Sequence, residues 1–190
     1  MRFHALSTAI TSGRFSRKFL QALLFSSQSN MADKCHLHES LQDVSWLLGT
    51  WSGQGDGIYP NIKSFSYKEE IKFSHVGQPN LQFQSSSWHL TNNTPMHFES
   101  GFWFFDRNHV KAAIAHNLGV CDIMEGEMTN NQITVTTTDI TRKSDSKPPK
   151  VTKVQKIYKL LEDGDLEYIM LMETEQYPLQ EHLRSRFKKQ

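Results

Sequence analysis

The feature that most constrains this chain is an alternation of apolar and polar residues with a period of two, which begins after Gly49 and continues almost to the C-terminus. Successive side chains of a β-strand point to opposite faces, so the pattern is typical of strands that are buried on one side. It falls into about ten short segments. Examples are Ser64–Phe73, Leu81–Trp88, Met96–Phe105, Gln132–Ile140 and Val151–Leu160.

Turn signals separate these segments, among them Asn92-Asn93, Asn130-Asn131 and Asp163-Gly164-Asp165. Turns of this length join antiparallel neighbours. Successive antiparallel strands in this number tend to close into an up-and-down barrel, which removes exposed sheet edges and can enclose a ligand. A β-sandwich would need long crossover connections, for which only the polar loop at 141–150 is available. We therefore predict an all-β fold, a closed antiparallel barrel.

Two short segments depart from the period of two. In the segment 39–48 the apolar residues recur at helical intervals, which predicts one or two helical turns before the first strand. At the other end of the chain, the stretch Pro178–Phe187 has apolar residues at positions 179, 183 and 187. We interpret this amphipathic stretch as a second short helical segment.

The first 30 residues differ in composition from the rest, because they contain four basic residues, several serines and no acidic residue. Such a segment is typical of a mitochondrial transit peptide. The alternative is a disordered extension upstream of a second start at Met31. The sequence thus predicts a mitochondrial or cytoplasmic location. Residues 1–38 are assigned to a leader and linker, and residues 39–190 to the barrel.

Composition and motifs exclude several classes of function. A net charge of +1 gives no reason to expect nucleic acid or an anionic membrane as a partner, and no apolar run reaches the roughly 18 residues of a spanning helix. The two cysteines, Cys35 and Cys121, are too few for a disulfide scaffold, and we interpret Cys121 as buried. Glu69 and Glu70 are adjacent on a strand and face opposite sides. With no nucleophile elbow or phosphate loop either, a hydrolase is disfavoured.

A series of motifs, in order along the chain, resembles a known family. The segment Gly49–Gly55 reads Gly-x-Trp-x-Gly-x-Gly and follows the predicted helical turns. The series continues through Asp56–Ile62, His75–Pro79 and Pro95–Gly101, and closes with Tyr177–Leu183. Together these motifs are similar to those of nitrobindin, a family of haem-binding ten-stranded barrels, from Leu41 to the C-terminus.

The resemblance implies a ferric b-type haem whose iron is bound by the histidine of the motif Pro-Leu-x-x-His-Leu, which is His182 in this chain. It also implies binding of nitric oxide and isomerisation of peroxynitrite to nitrate. A neutral imidazole is a competent iron ligand, and a single axial histidine leaves the opposite coordination position free. His182 is therefore the predicted axial ligand, and no further catalytic residue is predicted.

Two more residues are predicted to approach the haem. The family commonly has a threonine near the haem where this chain has Asn61, whose amide can still form a hydrogen bond. The resemblance places His75 at the distal or edge side of the haem. We interpret His97 and His116 as structural residues, since the sequence does not decide which of them faces inward.

Two alternatives to the isomerase stay open. One is a non-enzymatic carrier or sensor of haem or nitric oxide at the same site. The other is a lipid-binding barrel, in which a buried fatty-acid carboxylate would need a cationic partner, most often arginine. The arginines after the leader fall in turns, beside the 141–150 loop or in the C-terminal tail, so none is predicted in the interior. This disfavours a lipid carrier unless a lysine such as Lys153 turns inward.

Overall fold

The computed structural model describes residues 35–190, which form one short 3-10 helix followed by ten β-strands. The 3-10 helix spans Glu39–Leu47. The strands are β1 (Gly49–Tyr59), β2 (Ile62–Ser74), β3 (Asn80–His89), β4 (Pro95–Asp106), β5 (His109–His116), β6 (Val120–Thr129), β7 (Gln132–Arg142), β8 (Val151–Leu160), β9 (Leu166–Thr174) and β10 (Gln180–Lys189).

The strands form a closed antiparallel barrel in which each strand pairs with its neighbours in sequence. Closure is made by β1, which pairs with β2 on one side and with β10 on the other. All sheet edges are thereby paired, which is the physical advantage of closure. The loop at 141–150 connects β7 directly to its neighbour β8, so it is not a sandwich crossover. The predicted all-β, up-and-down barrel is confirmed.

The 3-10 helix closes one end of the barrel. Its apolar residues Leu41, Val44 and Leu47 are fully buried in the core. The indole nitrogen of Trp51 donates a hydrogen bond to the carbonyl of Leu47 at 2.8 Å, which ties the helix to β1. The helical spacing of the sequence thus marks the residues that close the barrel, and the predicted turns before the first strand are confirmed.

The predicted helical segment at the C-terminus is wrong, because Gln180–Lys189 is strand β10. Within it Ser185 and Phe187 are buried while Arg184 and Arg186 are exposed, which is a period of two. The short apolar spacing was compatible with either structure, and tertiary pairing decided between them. Strand β10 lies between β1 and β9, and a helix there would leave two sheet edges open.

The interpretation of Cys121 as a buried residue is also wrong. Cys121 is exposed on the outer face of β6, because its neighbour Asp122 occupies the inward position. Both cysteines are free thiols. Among the described residues no helix is long and apolar enough to cross a membrane. The predicted transit peptide lies outside the described residues, so it and the predicted location stay predictions.

Candidate functional site

A cavity of about 500 Å³ occupies the part of the barrel interior beyond the packed core. On β2, for example, Phe65, Tyr67 and Glu69 line the cavity, whereas Ile71 and Phe73 further along the strand are buried in the core. Apolar side chains form much of its wall, notably Met96, Leu118, Val151, Met170, Met172 and Leu183. Such a wall around a few polar groups is the usual character of a site for a small molecule or cofactor.

His182 reaches this cavity through a β-bulge in β10. The register of β10 against β9 shifts between Glu181 and Leu183, so His182 has no partner of its own on β9. Strict alternation from the buried Phe187 and Ser185 would turn Leu183 inward and His182 outward. Because of the bulge, Leu183 and His182 both line the cavity. A bulge beside a functional site re-aims a side chain in this way.

The His182 ring is held by one hydrogen bond and two aromatic rings. Its Nδ1 lies 3.0 Å from the carbonyl oxygen of Ile58 and donates a hydrogen bond to it, since a carbonyl can only accept. The rings of Tyr59 and Phe65 pack edge-on against it, with centroids 5.3 Å and 6.3 Å away. The carbonyl fixes the tautomer, so the other ring nitrogen, Nε2, carries the lone pair.

Burial lowers the pKa of His182 below its ordinary value. The nearby His97 acts in the same direction, while the hydrogen bond to Ile58 opposes it. A lowered pKa keeps the imidazole neutral near pH 7, and only the neutral ring binds iron. An oriented, neutral imidazole in an apolar cavity therefore fits the donor requirement of haem iron.

A network of charged and polar side chains forms another part of the cavity lining. The ammonium of Lys156, which is 1% exposed, donates to Oε2 of Glu99 at 2.5 Å. The other oxygen of Glu99 lies 3.3 Å from Nε2 of His97 and 3.4 Å from Nδ1 of His116. Burial would raise the pKa of Glu99, but Lys156 and the two histidines hold it well below its ordinary value. Glu99 is thus an anion in the cavity wall.

A second carboxyl group, on Glu69, also lines the cavity and has a different environment. Burial raises the pKa of Glu69 to about 7, although a hydrogen bond from Ser85 at 2.5 Å opposes this. The negative charge of Glu99 raises it further. Near neutral pH, Glu69 therefore exchanges a proton in the same cavity where Glu99 stays ionised.

The other two predicted site residues do not line the cavity. His75 follows the end of β2, beyond the buried Phe73, and its Nδ1 accepts a hydrogen bond from the backbone N–H of Gly77. We therefore leave His75 out of the site. Asn61 is exposed in the turn between β1 and β2. That turn lies just beyond Ile58, which holds His182, so the predicted contact of Asn61 with haem stays a prediction.

Sequence reasoning missed His97 and His116, which were interpreted as structural and both line the cavity. His97 has the same alternation on β4 as Glu99 and Trp103, so counting back from the buried Trp103 would have placed it inward. The bulge on β4, where Met96 and His97 lie opposite the single residue Ser87 on β3, brings Met96 into the cavity wall as well. The backbone N–H of His97 donates to Oγ of Ser87. His116 could have been placed by counting inward positions along β5 from Val110, since it follows Ala112 and Ile114 in the alternation.

The prediction that no arginine lines the interior is wrong as well, because Arg142 lines the cavity. A lysine also turns inward, but it is Lys156, whereas Lys153 is exposed. Both cations already have partners: Lys156 binds Glu99, and the guanidinium of Arg142 donates to the carbonyl of Val151. A ligand carboxylate would therefore compete with these partners.

Comparisons with known proteins agree with this geometry. The model of a family described as "THAP4-like, heme-binding beta-barrel domain" matches residues 40–189. A relative from Arabidopsis thaliana, named peroxynitrite isomerase Rv2717c, is 38% identical over 160 residues, which cover 82% of this chain and 92% of the relative. The crystal structure of Rv2717c from M. tuberculosis has a TM-score of 0.74 and 32% identity, covering 82% of this chain and 99% of the other.

A longer relative, peroxynitrite isomerase THAP4 from Rattus norvegicus, is 37% identical over 157 residues. These cover 80% of this chain but 28% of the relative, so the chain spans little more than a quarter of that protein's length. The match to the family model, over residues 40–189, spans the barrel and therefore includes His182 and the other residues of the cavity wall. By its sequence and its barrel, the chain belongs to the family of THAP4-like, heme-binding beta-barrel domains.

Proposed function

We propose that this chain binds ferric haem b through His182 and isomerises peroxynitrite to nitrate. The observation that carries the proposal is the orientation of His182, whose Nδ1 is held by the Ile58 carbonyl while its ring lines an apolar cavity. Support for the reaction comes from the relatives named peroxynitrite isomerase, at 32–38% identity over most of this chain. Nitric oxide, a small ligand of haem iron, is proposed to bind at the same site.

The residues of the chain would hold the haem in three ways. Nε2 of His182 would bind the iron, with Ile58 fixing the plane of the ring. Tyr59 and Phe65 limit rotation of the imidazole. The methionines and aliphatic residues of the wall, such as Met170 and Val151, would pack against the porphyrin and exclude water from it.

Ferric haem, when bound, supplies an electrophilic iron that attracts an anion such as peroxynitrite. Peroxynitrite and nitrate have the same atoms and the same charge, so the net conversion consumes no proton, electron or water. The chain therefore needs no paired general acid and base. Its contributions would be an axial nitrogen from His182 and an apolar enclosure that excludes water from the bound anion.

The experiment compares three proteins: wild type, His182→Ala and His75→Ala. The control variant removes a histidine that does not line the cavity. Haem titration followed at the Soret band should show tight binding by wild type and His75→Ala. For His182→Ala we expect an affinity more than about 100-fold lower, because the iron loses its protein ligand.

The three proteins are then mixed with peroxynitrite in a stopped-flow instrument, and nitrate and nitrite are quantified. We expect wild type and His75→Ala to accelerate decay catalytically, with a higher nitrate yield than buffer. Stoichiometric rather than repeated consumption would instead identify a carrier or sensor. Decay by His182→Ala as fast as by wild type would overturn the proposal.

A further inference from the structure

Three side chains of the cavity wall bring potential metal-binding atoms close together. Nε2 of His97 lies 2.8 Å from Nδ1 of His116, and Oε1 of Glu99 lies 3.3 Å and 3.4 Å from these two nitrogens. A triangle with these sides has a point, slightly off its plane, that is about 2.1 Å from each corner. This is the ordinary distance from zinc to imidazole nitrogen and carboxylate oxygen. The three atoms therefore suit a single metal ion without rearrangement of the backbone.

Regular strand pairing and alternation bring these residues together. Glu99 on β4 is directly opposite His116 on β5, so the two side chains lie on the same face of the sheet. His97 precedes Glu99 by two residues on the same strand, so it faces the same cavity. The arrangement therefore rests on the rigid part of the barrel rather than on a loop, which is the more precise kind of support for a binding site.

The next shell of residues has the features of a metal site. Nε2 of His116 is 3.0 Å from Oδ2 of Asp122, a carboxylate that is 4% exposed. If Asp122 accepts the proton on Nε2, the lone pair of His116 is on Nδ1, the atom that faces Glu99 and His97. A histidine ligand whose far nitrogen donates to a carboxylate is the common second-shell arrangement. Lys156 holds the oxygen of Glu99 that lies away from the triangle.

A separate observation points to a ligand at this place. The second oxygen of Asp122, Oδ1, is buried and has no hydrogen-bond partner among the described residues, although Asp122 lines the cavity. Buried carboxylate oxygens are normally satisfied. Of the two cations that line the cavity, Lys156 binds Glu99 and Arg142 donates to the carbonyl of Val151, so neither pairs with the carboxylate of Asp122 and a bound cation is favoured there.

We propose that His97, Glu99 and His116 bind one divalent transition-metal ion of the zinc and ferrous class, in the same cavity as His182 but independently of it. Two imidazoles and one carboxylate suit these ions, and three protein ligands leave further coordination positions open to the cavity. In the ion-free protein, the proton on Nε2 of His97 is shared with Nδ1 of His116. Binding of the metal moves that proton to Nδ1 of His97, and no other group changes its charge.

The test is equilibrium dialysis of the full-length chain against Zn²⁺, with bound metal counted by mass spectrometry. His97→Gln is the first variant, because the His97 side chain is 37% exposed and its replacement disturbs the core least. Glu99→Gln is the second. The matched control replaces the surface cluster Cys35, His36 and His38 by Ser, Ala and Ala, because that cluster could also bind zinc. His182→Ala is included to separate this site from the proposed haem ligand.

We expect one Zn²⁺ per wild-type chain, and affinities at least about tenfold lower for His97→Gln and Glu99→Gln. The surface triple variant and His182→Ala should bind zinc as wild type does. No bound zinc in wild type, or loss of zinc in the surface triple variant alone, would overturn the proposal. His182→Ala should abolish haem binding and leave zinc binding unchanged. The haem proposal and the zinc proposal can therefore fail independently, and the two titrations distinguish these failures.

Should a variant fail to fold, as judged by circular dichroism, Co²⁺ bound to the wild-type chain gives a second measurement. Nitrogen and oxygen ligands produce visible d–d bands without a thiolate charge-transfer band. Such a spectrum, unchanged in the surface triple variant, supports the site. A thiolate band would instead assign the metal to one of the two exposed cysteines, Cys35 or Cys121, and overturn the proposal.

Discussion

The barrel strands pass through two regions that obey the same alternation but differ in chemistry. In the closed region, next to the 3-10 helix, inward positions hold large apolar side chains such as Trp51, Phe73 and Trp103, all at most 1% exposed. In the open region, inward positions of the same strands hold polar groups such as Glu69 and Glu99, around a cavity of about 500 Å³.

The contrast is clear along single strands. On β3, Leu81 and Phe83 belong to the core cluster, and the next inward residues, Ser85 and Ser87, line the cavity. On β8 the order is reversed: Lys156 lines the cavity and Tyr158, two residues later, is in the core. A period of two thus predicts which side chains face inward. It does not predict whether an inward position belongs to the packed core or to the cavity.

The difference separates stability from function. The aromatic rings of the closed region pack against one another, as with Phe73, Trp103 and Tyr158, whose ring centroids lie 5.5–6.1 Å apart. Such packing stabilises the fold through buried apolar area and ring geometry. The open region lacks this packing. It also keeps ionisable groups out of water, and burial of such groups costs free energy unless they are paired. We expect substitutions in the two regions to have different consequences.

The largest expected effect is in the closed region. Trp103→Ala should lower the free energy of unfolding by about 3–5 kcal/mol, because it leaves a void in a packed core. The matched substitution in the open region, Met172→Ala, should cost about 1 kcal/mol or less, since Met172 already borders the cavity. Urea denaturation measures both. Equal losses would contradict the division into two regions, and Trp103→Phe provides a milder variant should the first not fold.

The next effect concerns the buried ion pair of Lys156 and Glu99 in the cavity wall. Lys156→Met should lower the free energy of unfolding by about 3 kcal/mol, because the carboxylate of Glu99 loses its cation. The double variant Lys156→Met with Glu99→Gln removes both charges and should recover at least half of that loss. Denaturation of the two variants measures the coupling. If the double variant were as unstable as the single one, the pair would not explain the cost.

A third effect depends on pH. The raised pKa of Glu69, from 4.5 to about 7, means that the folded protein holds this proton more tightly than the unfolded chain. Stability from this group is complete below pH 4.5 and is lost as the pH rises through about 7. Glu69→Gln should therefore raise the free energy of unfolding by about 3 kcal/mol above pH 7 and change little below pH 4.5.

Denaturation of wild type and Glu69→Gln across that pH range measures the difference. A constant gain at every pH would assign the effect to packing rather than to titration. Glu70→Gln, on the outer face of the same strand, is the control and should leave the pH dependence unchanged.

The smallest effect concerns the support of His182. A Cβ added at Gly57 would overlap the ring of Phe65, which packs edge-on against His182. Gly57→Ala should therefore displace that ring and lower haem affinity by about tenfold, with folding retained. In the background of Phe65→Leu, which leaves more room, the same substitution should have little effect. Haem titration of the four proteins measures this, and an equal effect in both backgrounds would rule out Phe65 as the cause.

Much of the fold could be predicted from the sequence, because its determinants are local. Alternation around Phe73 or Phe83 identifies inward residues, and the Asn130-Asn131 and Asp163-Gly164-Asp165 turns set strand boundaries close to those observed. The local pattern gave a wrong prediction at the C-terminus, because the spacing of the apolar residues in Pro178–Phe187 fits a helix as well as a strand. Pairing with both β1 and β9 decided that segment.

The candidate site could be predicted from the sequence only in part. The motif that ends at Leu183 pointed to His182, but its position on a strand and the direction of its side chain were not encoded in alternation. His97 and His116 were missed, and His75 was placed near the haem although it follows the core rather than the cavity. Each of these outcomes depends on where a strand lies along the barrel axis, which only the register between strands defines.

By itself the sequence determined that this chain forms a closed antiparallel barrel, which face of the most regular strands points inward, and that His182 is the residue to examine. The tertiary structure decided how those inward residues are used. A bulge at His182 shifts the alternation by one residue and turns this histidine into the cavity beside Leu183. The physical reason is that side-chain direction follows from strand pairing, and pairing is a property of two segments distant in sequence.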